Sequence, residues 1–322
     1  MEAASQPRAW KVLLAFAIIY LVWGSTFLAI RVGVREVPPF LLAGMRFVIA
    51  GLFVFACARA KGTAIPTTRQ WPSLIIVAVL FFVVDYGLVF WAEVRVPSGI
   101  TAVMMATIPA FMAISEILIL KTQRLTLRLG IALLVGMGGV AVLASRSATF
   151  SDAPIDTLGA MALLLGAISW ALGSALTRKL SLPSDKVMSS GAQMLAGGLL
   201  LTATAAMLGE FHGFRLQAVS VKAWLALAYL IVAGSIVAFT AYVWLIHHES
   251  PTKVGTYAYV NPVVAVVLGY LFGGEALTAR TVVGTMLVLV SVVVITLLPA
   301  RSKPQGIAET AATTSASDVE PA

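Results

Sequence analysis

Charge is scarce in this sequence. Of its 322 residues only 11% are Asp, Glu, Lys or Arg, while 60% are apolar and the mean hydropathy is +0.96. Soluble proteins carry about a quarter of their residues charged. A soluble fold with this balance lacks the polar surface to cover its core. That excludes a disordered chain, a nucleic-acid-binding domain and an ordinary soluble enzyme. A single cysteine, Cys57, excludes an intrachain disulfide and a thiolate metal site. The histidines number three, at span ends or in loops, with no further ligand set beside them, so no metal and no cofactor are expected. A Walker glycine-lysine loop is missing, which excludes an ATP-driven pump within this chain. The serine of Pro97-Ser98-Gly99 lacks the flanking glycine of a nucleophile elbow. A membrane-embedded enzyme therefore has little to build on, and none is expected. A channel would call for a ring of symmetric charges or a repeated filter sequence, and neither is visible.

What the sequence has is long apolar runs. A helix needs about 20 apolar residues to cross ~30 Å of hydrocarbon. Ten segments qualify: 12–34, 38–58, 72–92, 97–120, 127–145, 157–178, 187–208, 221–246, 252–273 and 280–298. The expected fold class is all-α, a polytopic bundle of ten transmembrane helices whose partner is the lipid bilayer. The run 12–30 is longer than a signal-peptide core and is followed by no small-x-small cleavage site, so it reads as the first span. Residues 301–322 turn to Ala, Thr, Ser, Pro and acidic residues and read as a disordered tail.

The net charge of +8 is an orientation signal and not a nucleic-acid surface. The N-terminus and every second loop after it hold Arg8, Lys11, Arg59, Lys61, Arg69, Lys121, Arg124, Arg128, Arg178, Lys179, Lys186, Lys253, Arg301 and Lys303. Those are 14 basic residues, against 7 on the other side (Arg31, Arg35, Arg95, Arg146, Arg215, Lys222 and Arg280). Both termini are therefore expected in the cytoplasm.

The chain also repeats itself. At an offset of 147, Trp23 meets Trp170, Arg31 meets Arg178 and Gly51 meets Gly198. At 153, Trp71 meets Trp224, Trp91 meets Trp244 and Pro109 meets Pro262. Two five-helix halves follow, 12–145 and 157–298, flanked by a cytoplasmic segment 1–11 and the tail 299–322. Because five is odd, the second half enters from the opposite side, the inverted-repeat design of secondary transporters.

With the repeat in place, the motifs resemble those of the drug/metabolite transporter superfamily, in its ten-helix branch with two EamA-type domains. The first span reads Trp23-Gly24-Ser25-Thr26-Phe27, the second Pro38-Pro39-Phe40 and then Arg46, and the last two Asn261-Pro262-Val263 and Gly274-Glu275-Ala276-Leu277-Thr278. The counterpart of Glu275 in the first half is Gln123, so a role for that acid is not shared by both halves. The resemblance implies export or exchange of small metabolites across the bacterial cytoplasmic membrane. It leaves open an exchanger or facilitator without ion coupling, and it names no substrate.

Three formal charges lie well inside spans: Arg46, Asp85 and Glu116. Each costs about 2.5–3.5 kcal/mol near a helix centre, which makes it a functional candidate facing the bundle interior. Arg46 and Asp85 sit at one depth, roughly 10–12 Å from the outer side at 1.5 Å per residue. They are expected to pair, or to bind a charged substrate together; a static packing pair is the alternative. Asp85 and Glu116 are the candidates for ion coupling, since burial raises a carboxylate's proton affinity. For Glu116 the bland alternative is snorkelling toward Lys121 or Arg124. Pro109 and Pro262 mark helix breaks at matching places, a pointer to a central site. The expected substrate-binding residues are Trp23, Ser25, Thr26, Arg46, Asp85, Tyr86, Met105, Trp170, Tyr242, Tyr257 and Asn261. Their mix of aromatic and hydroxyl groups suits a small amphipathic organic solute. A monomer is expected.

Overall fold

The computed structural model describes residues 9–96, 101, 104–148, 156–273 and 279–297. Among them every regular element is helical. Ten long helices follow one another: α1 (Ala9–Val34), α2 (Pro39–Ala60), α3 (Trp71–Glu93), α4 (Ile108–Leu120), α5 (Leu127–Ala148), α6 (Thr157–Thr177), α7 (Lys186–Met207), α8 (Val221–His248), α9 (Tyr257–Gly273) and α10 (Ala279–Leu297). A one-turn helix, Pro251–Gly255, leads into α9. The acidic motif around Glu275 and the tail lie outside the described residues.

The polarity of the surface is that of a membrane protein. Leu13, Leu28, Leu52, Leu134, Leu165 and Val283 are each more than half exposed. Helices α1, α2, α3, α6 and α8 are long and apolar enough to cross a bilayer. Several helices are capped by side chains, because the first backbone N–H groups of a helix have no internal partner. Asp156 accepts from Gly159 N at 2.9 Å to start α6, and Asp185 from Met188 N at 2.7 Å to start α7. Pro39 opens α2, where Glu210 arrives from beyond α7 to accept from Leu41 N at 2.8 Å.

Packing returns to itself when each helix of the first five is exchanged with the helix five later. Helix α2 packs on α7, and α5 on α10. The pair α1–α9 maps onto α6–α4, and α3–α6 onto α8–α1; all four are present. The α2–α7 contact shows how closely the match holds. Glycine lets two backbones meet there. A Cβ on Gly51 would lie 2.3 Å from Leu195 N, and one on Gly198 would lie 2.4 Å from Val48 N. These are one contact seen from its two sides, since Gly51 and Gly198, and Val48 and Leu195, are each 147 apart. Gly44 against Thr202 and Gly191 against Phe55 form a second such set. Numbers rise along α2 as they fall along α7 in these contacts, so the two equivalent helices run antiparallel. Helices α5 and α10 do the same, with Gly136 against Ser291 and Gly139 against Gly284.

Two equivalent helices are widened within two residues of equivalent places. Val79–Tyr86 in α3 and Leu230–Val237 in α8 are π-helical. Such stretches are rare and re-aim the side chains that follow. The large core gathers around them, with Phe81, Phe82, Trp170, Phe239 and Tyr242 all buried.

Candidate functional site

Between the halves lies a partly open cavity of about 40 Å³. Helix α1 contributes Trp23, Thr26, Phe27 and Ile30, spaced as one helical stripe. Asp85 and Tyr86 come from the end of the widened stretch in α3, and Val89 from the turn after it. Met105 and Ile108 flank the break before α4, and Trp170 of α6 with Tyr257 and Asn261 of α9 complete the wall. Both halves are thus represented.

One side of the cavity is closed by aromatic rings. Trp23 meets Trp170 edge-on at 5.5 Å and Tyr257 at 4.7 Å, and Tyr242 lies 4.9 Å from Trp170. Trp23 is fixed by its Nε1, which donates to the Gly234 carbonyl at 3.1 Å in the π-helical part of α8. Below the rings, Tyr242 and Ser174 share a hydrogen bond, and Tyr20 meets the Thr256 hydroxyl at 2.6 Å. The cavity extends the other way, toward the C-terminal ends of α1 and α3. There Arg31 Nη1 lies 3.9 Å from Glu93 Oε2 and donates to the Val96 carbonyl at 3.1 Å.

Eight of the expected binding residues line this space: Trp23, Thr26, Asp85, Tyr86, Met105, Trp170, Tyr257 and Asn261. Three do not. Ser25 is two residues from Trp23, about 200° round the helix. It faces away, with its hydroxyl donating to the Val22 carbonyl at 2.7 Å and 2.5 Å from Tyr229 OH. Tyr242 is fully buried behind Trp170. Arg46 is fully buried behind Tyr86 and is absent from the wall.

The expected Arg46–Asp85 ion pair is not formed. Arg46 Nε donates to Ser235 Oγ at 2.8 Å, and the guanidinium lies 4.6 Å from the Phe47 ring centre, 5.0 Å from Tyr86 and 5.9 Å from Phe90. Ring faces carry the cation in place of a carboxylate. The physical reason is local: Asp85 and Tyr86 are neighbours on the helix, so the ring lies against Arg46 while the carboxyl points elsewhere, its Oδ1 toward Gly166 of α6. Asp85 is 3% exposed and its Oδ1 has no hydrogen-bond partner. Gly166 of α6 gives it room, since a Cβ there would stand 3.2 Å from that oxygen.

Glu116 neither reaches the cavity nor snorkels toward Lys121 or Arg124. It is 2% exposed. Its Oε2 accepts from Thr252 N at 3.1 Å and Thr252 Oγ1 at 2.7 Å, and its Oε1 accepts from Thr122 at 3.1 Å. These donors tie the end of α4 to the start of the Pro251–Gly255 turn. Pro109 stands in the first turn of α4, directly after the interruption at Ala106 and Thr107. Pro262 instead lies inside α9, and the chain breaks earlier, at Thr256. A fourth buried charge had escaped the sequence reading. Glu93, 1% exposed, falls one residue beyond the expected end of its span, where an acid beside Arg95 looks like loop. Phe27, Ile30, Val89 and Ile108 were also unforeseen; the stripe Trp23-Thr26-Phe27-Ile30 was the available signal.

The model of the EamA-like transporter family matches residues 10–145 and again 157–297. The chain is similar to the inner membrane transporter YedA of Escherichia coli (strain K12), 38% identical over 88% of this chain and 90% of that one. It is also similar to the transporter YvbV of Bacillus subtilis (strain 168), 27% identical over 91% of this chain and 92% of the other. One solved crystal structure has the same fold, with a TM-score of 0.74 at 23% identity, covering 91% of this chain and all of that one.

Proposed function

The chain belongs to the EamA-like transporter family, and from that premise we propose that it is a secondary transporter exporting a small organic solute by alternating access. It works in the bacterial cytoplasmic membrane as a multi-pass protein with both termini in the cytoplasm, built as two inverted five-helix repeats, 12–145 and 157–298. The antiparallel run of α2 on α7 and of α5 on α10 supports the inversion. The names of YedA and YvbV support the class, and that of YedA the location.

The observation that carries the mechanism is an asymmetry within the symmetry. Thr26, Phe27 and Ile30 line the open cavity from α1. Their counterparts 147 later are Gly173, Ser174 and Thr177. Tyr86 and Val89 of α3 correspond, at 153, to Phe239 and Tyr242. The counterpart positions are packed more tightly: Ser174, Phe239 and Tyr242 are all 0% exposed against 2–6% for Thr26, Ile30 and Val89, and a Cβ on Gly173 would press on Phe81 at 2.8 Å. One half-cavity is open while its mirror image is filled. Exchange of the two halves' conformations opens the second and closes the first, which is how inverted repeats carry a solute across. The open half lies toward the loops with fewer basic residues, so this state faces outward. Asp85 is the carboxylate within reach of a coupling ion, because Glu116 is engaged by Thr252 and Thr122.

Purified protein in liposomes tests the proposal by counterflow. Solutes of a metabolite library, preloaded inside, are expected to accelerate saturable uptake of the same labelled solute. Non-saturable flux indifferent to the internal solute contradicts a carrier.

A further inference from the structure

We infer that the cavity selects a protonated amine on an apolar body, and discriminates against the same body carrying a carboxylate. The inference deepens the transporter reading and rests on it only for what the cavity is for. Asp85 brings the formal charge of the cavity wall among the described residues; no Lys, Arg or His is in that wall. Among the described residues the carboxylate has no ion pair, and its Oδ1 has no hydrogen-bond partner. Asn261, a lining residue from α9, has an Oδ1 that is likewise unpartnered, the residue being 4% exposed. Buried polar atoms cost free energy unless paired. Residues of one cavity wall thus hold two unsatisfied acceptors against one unpartnered donor, Trp170 Nε1, an excess that asks for donors, and an ammonium supplies three donors and no acceptor.

The rest of the wall agrees. Trp23, Tyr86, Trp170 and Tyr257 share the wall with the acid, and aromatic faces attract cations as well as apolar groups. A substrate carboxylate would need its own cation. Arg46 is the nearest candidate by position, but Tyr86, Phe47 and Phe90 cover its guanidinium and Ser235 holds its Nε. An amino acid would therefore bring its negative charge into a site that already holds one, at low dielectric.

Isothermal titration calorimetry on the full-length protein in detergent at pH 7 tests this with three probes of one shape: 2-phenylethylamine, phenylalanine and 2-phenylethanol. The amine is expected to bind at least about tenfold more tightly than either of the others, and Asp85→Asn to bring amine and alcohol within about threefold. Equal binding of amine and alcohol, tighter binding of phenylalanine, no heat with the amine, or a preference that survives Asp85→Asn overturns the inference. The ranking on the wild-type protein decides alone if the variant does not fold. Amine binding without flux in liposomes refutes the transporter reading and leaves this one standing; carrier flux of solutes without an amine, with no amine binding, does the reverse.

Discussion

Gly51→Ala is the sharpest test of the packing that relates the two halves. The added Cβ would sit 2.3 Å from Leu195 N, 2.7 Å from Leu195 Cα and 2.8 Å from the Met194 carbonyl carbon. Ordinary contact begins near 3.5 Å, so α2 and α7 must part by about 1 Å. All three atoms are backbone, and no rotamer change relieves them. The mirror contact of Gly198 against Val48 opens with it. Overpacking of this kind costs about 3 kcal/mol, the upper end of the usual range, because the neighbours cannot turn aside. Gly198→Ala should cost the same within about 1 kcal/mol, since it makes the equivalent clash from the other half. Gly138→Ala is the control: nothing lies within 4 Å of its Cβ, and helix propensity favours alanine by about 1 kcal/mol. Reversible unfolding in mixed detergent–SDS micelles, followed by tryptophan fluorescence, measures all three. If Gly51→Ala stays within about 0.5 kcal/mol of wild type, or matches Gly138→Ala, the close α2–α7 contact is wrong.

Two further outcomes are expected. Gly166→Ala places a methyl group 3.2 Å from Asp85 Oδ1 and 3.5 Å from its backbone, so it should weaken 2-phenylethylamine binding several-fold while shifting unfolding by less than about 1 kcal/mol; unchanged binding would remove Asp85 from the recognition argument. The two loop acids should titrate in opposite senses. Hydrogen bonds from Ser220 N at 2.6 Å and Ser220 Oγ at 2.8 Å hold the Glu36 carboxyl below its ordinary 4.5, whereas burial raises that of Glu210. Glu36 therefore stabilises the fold above its unfolded value and loses that contribution as the pH falls through its lower folded value. Glu210 contributes fully below its unfolded value and loses the contribution as the pH rises through its raised folded one. Melting curves of Glu36→Gln and Glu210→Gln against wild type between pH 3 and 7 should diverge in opposite directions; parallel curves refute the assignment.

The bundle was largely legible from the amino acids because one variable decides it. Where charge is this scarce, each long apolar run has a single environment, and the odd number of spans per half follows from counting. Trp23 and Trp170 pointed to the centre because a rare residue repeated at mid-span. The details that the sequence hid are those set by neighbours in space. Gly44 and Gly191 look like other glycines until α7 is laid on α2. Nothing in Val79–Tyr86 or Leu230–Val237 announces a widened helix, yet that widening decides which way Asp85 and Ser235 point. The Arg46–Asp85 pairing failed for the same reason: depth along two helices can be read from sequence, but the ring of Tyr86 between them cannot. Glu116 was legible as buried and illegible as a tie, because its partner Thr252 is 136 residues away.

Ile30 and Thr177 stand at equivalent places in the two halves and are each 2% exposed, the first bordering the cavity and the second in its filled counterpart. In a Cys57→Ser background, Ile30→Cys and Thr177→Cys can be labelled in one protein by membrane-impermeant thiol reagents from opposite faces of oriented vesicles. Alternating access predicts that each site is reached from its own face, and that a bulky adduct at Ile30→Cys, which props the outer half open, abolishes labelling at Thr177→Cys. Simultaneous labelling of both, or a Thr177→Cys that is never reached, contradicts it.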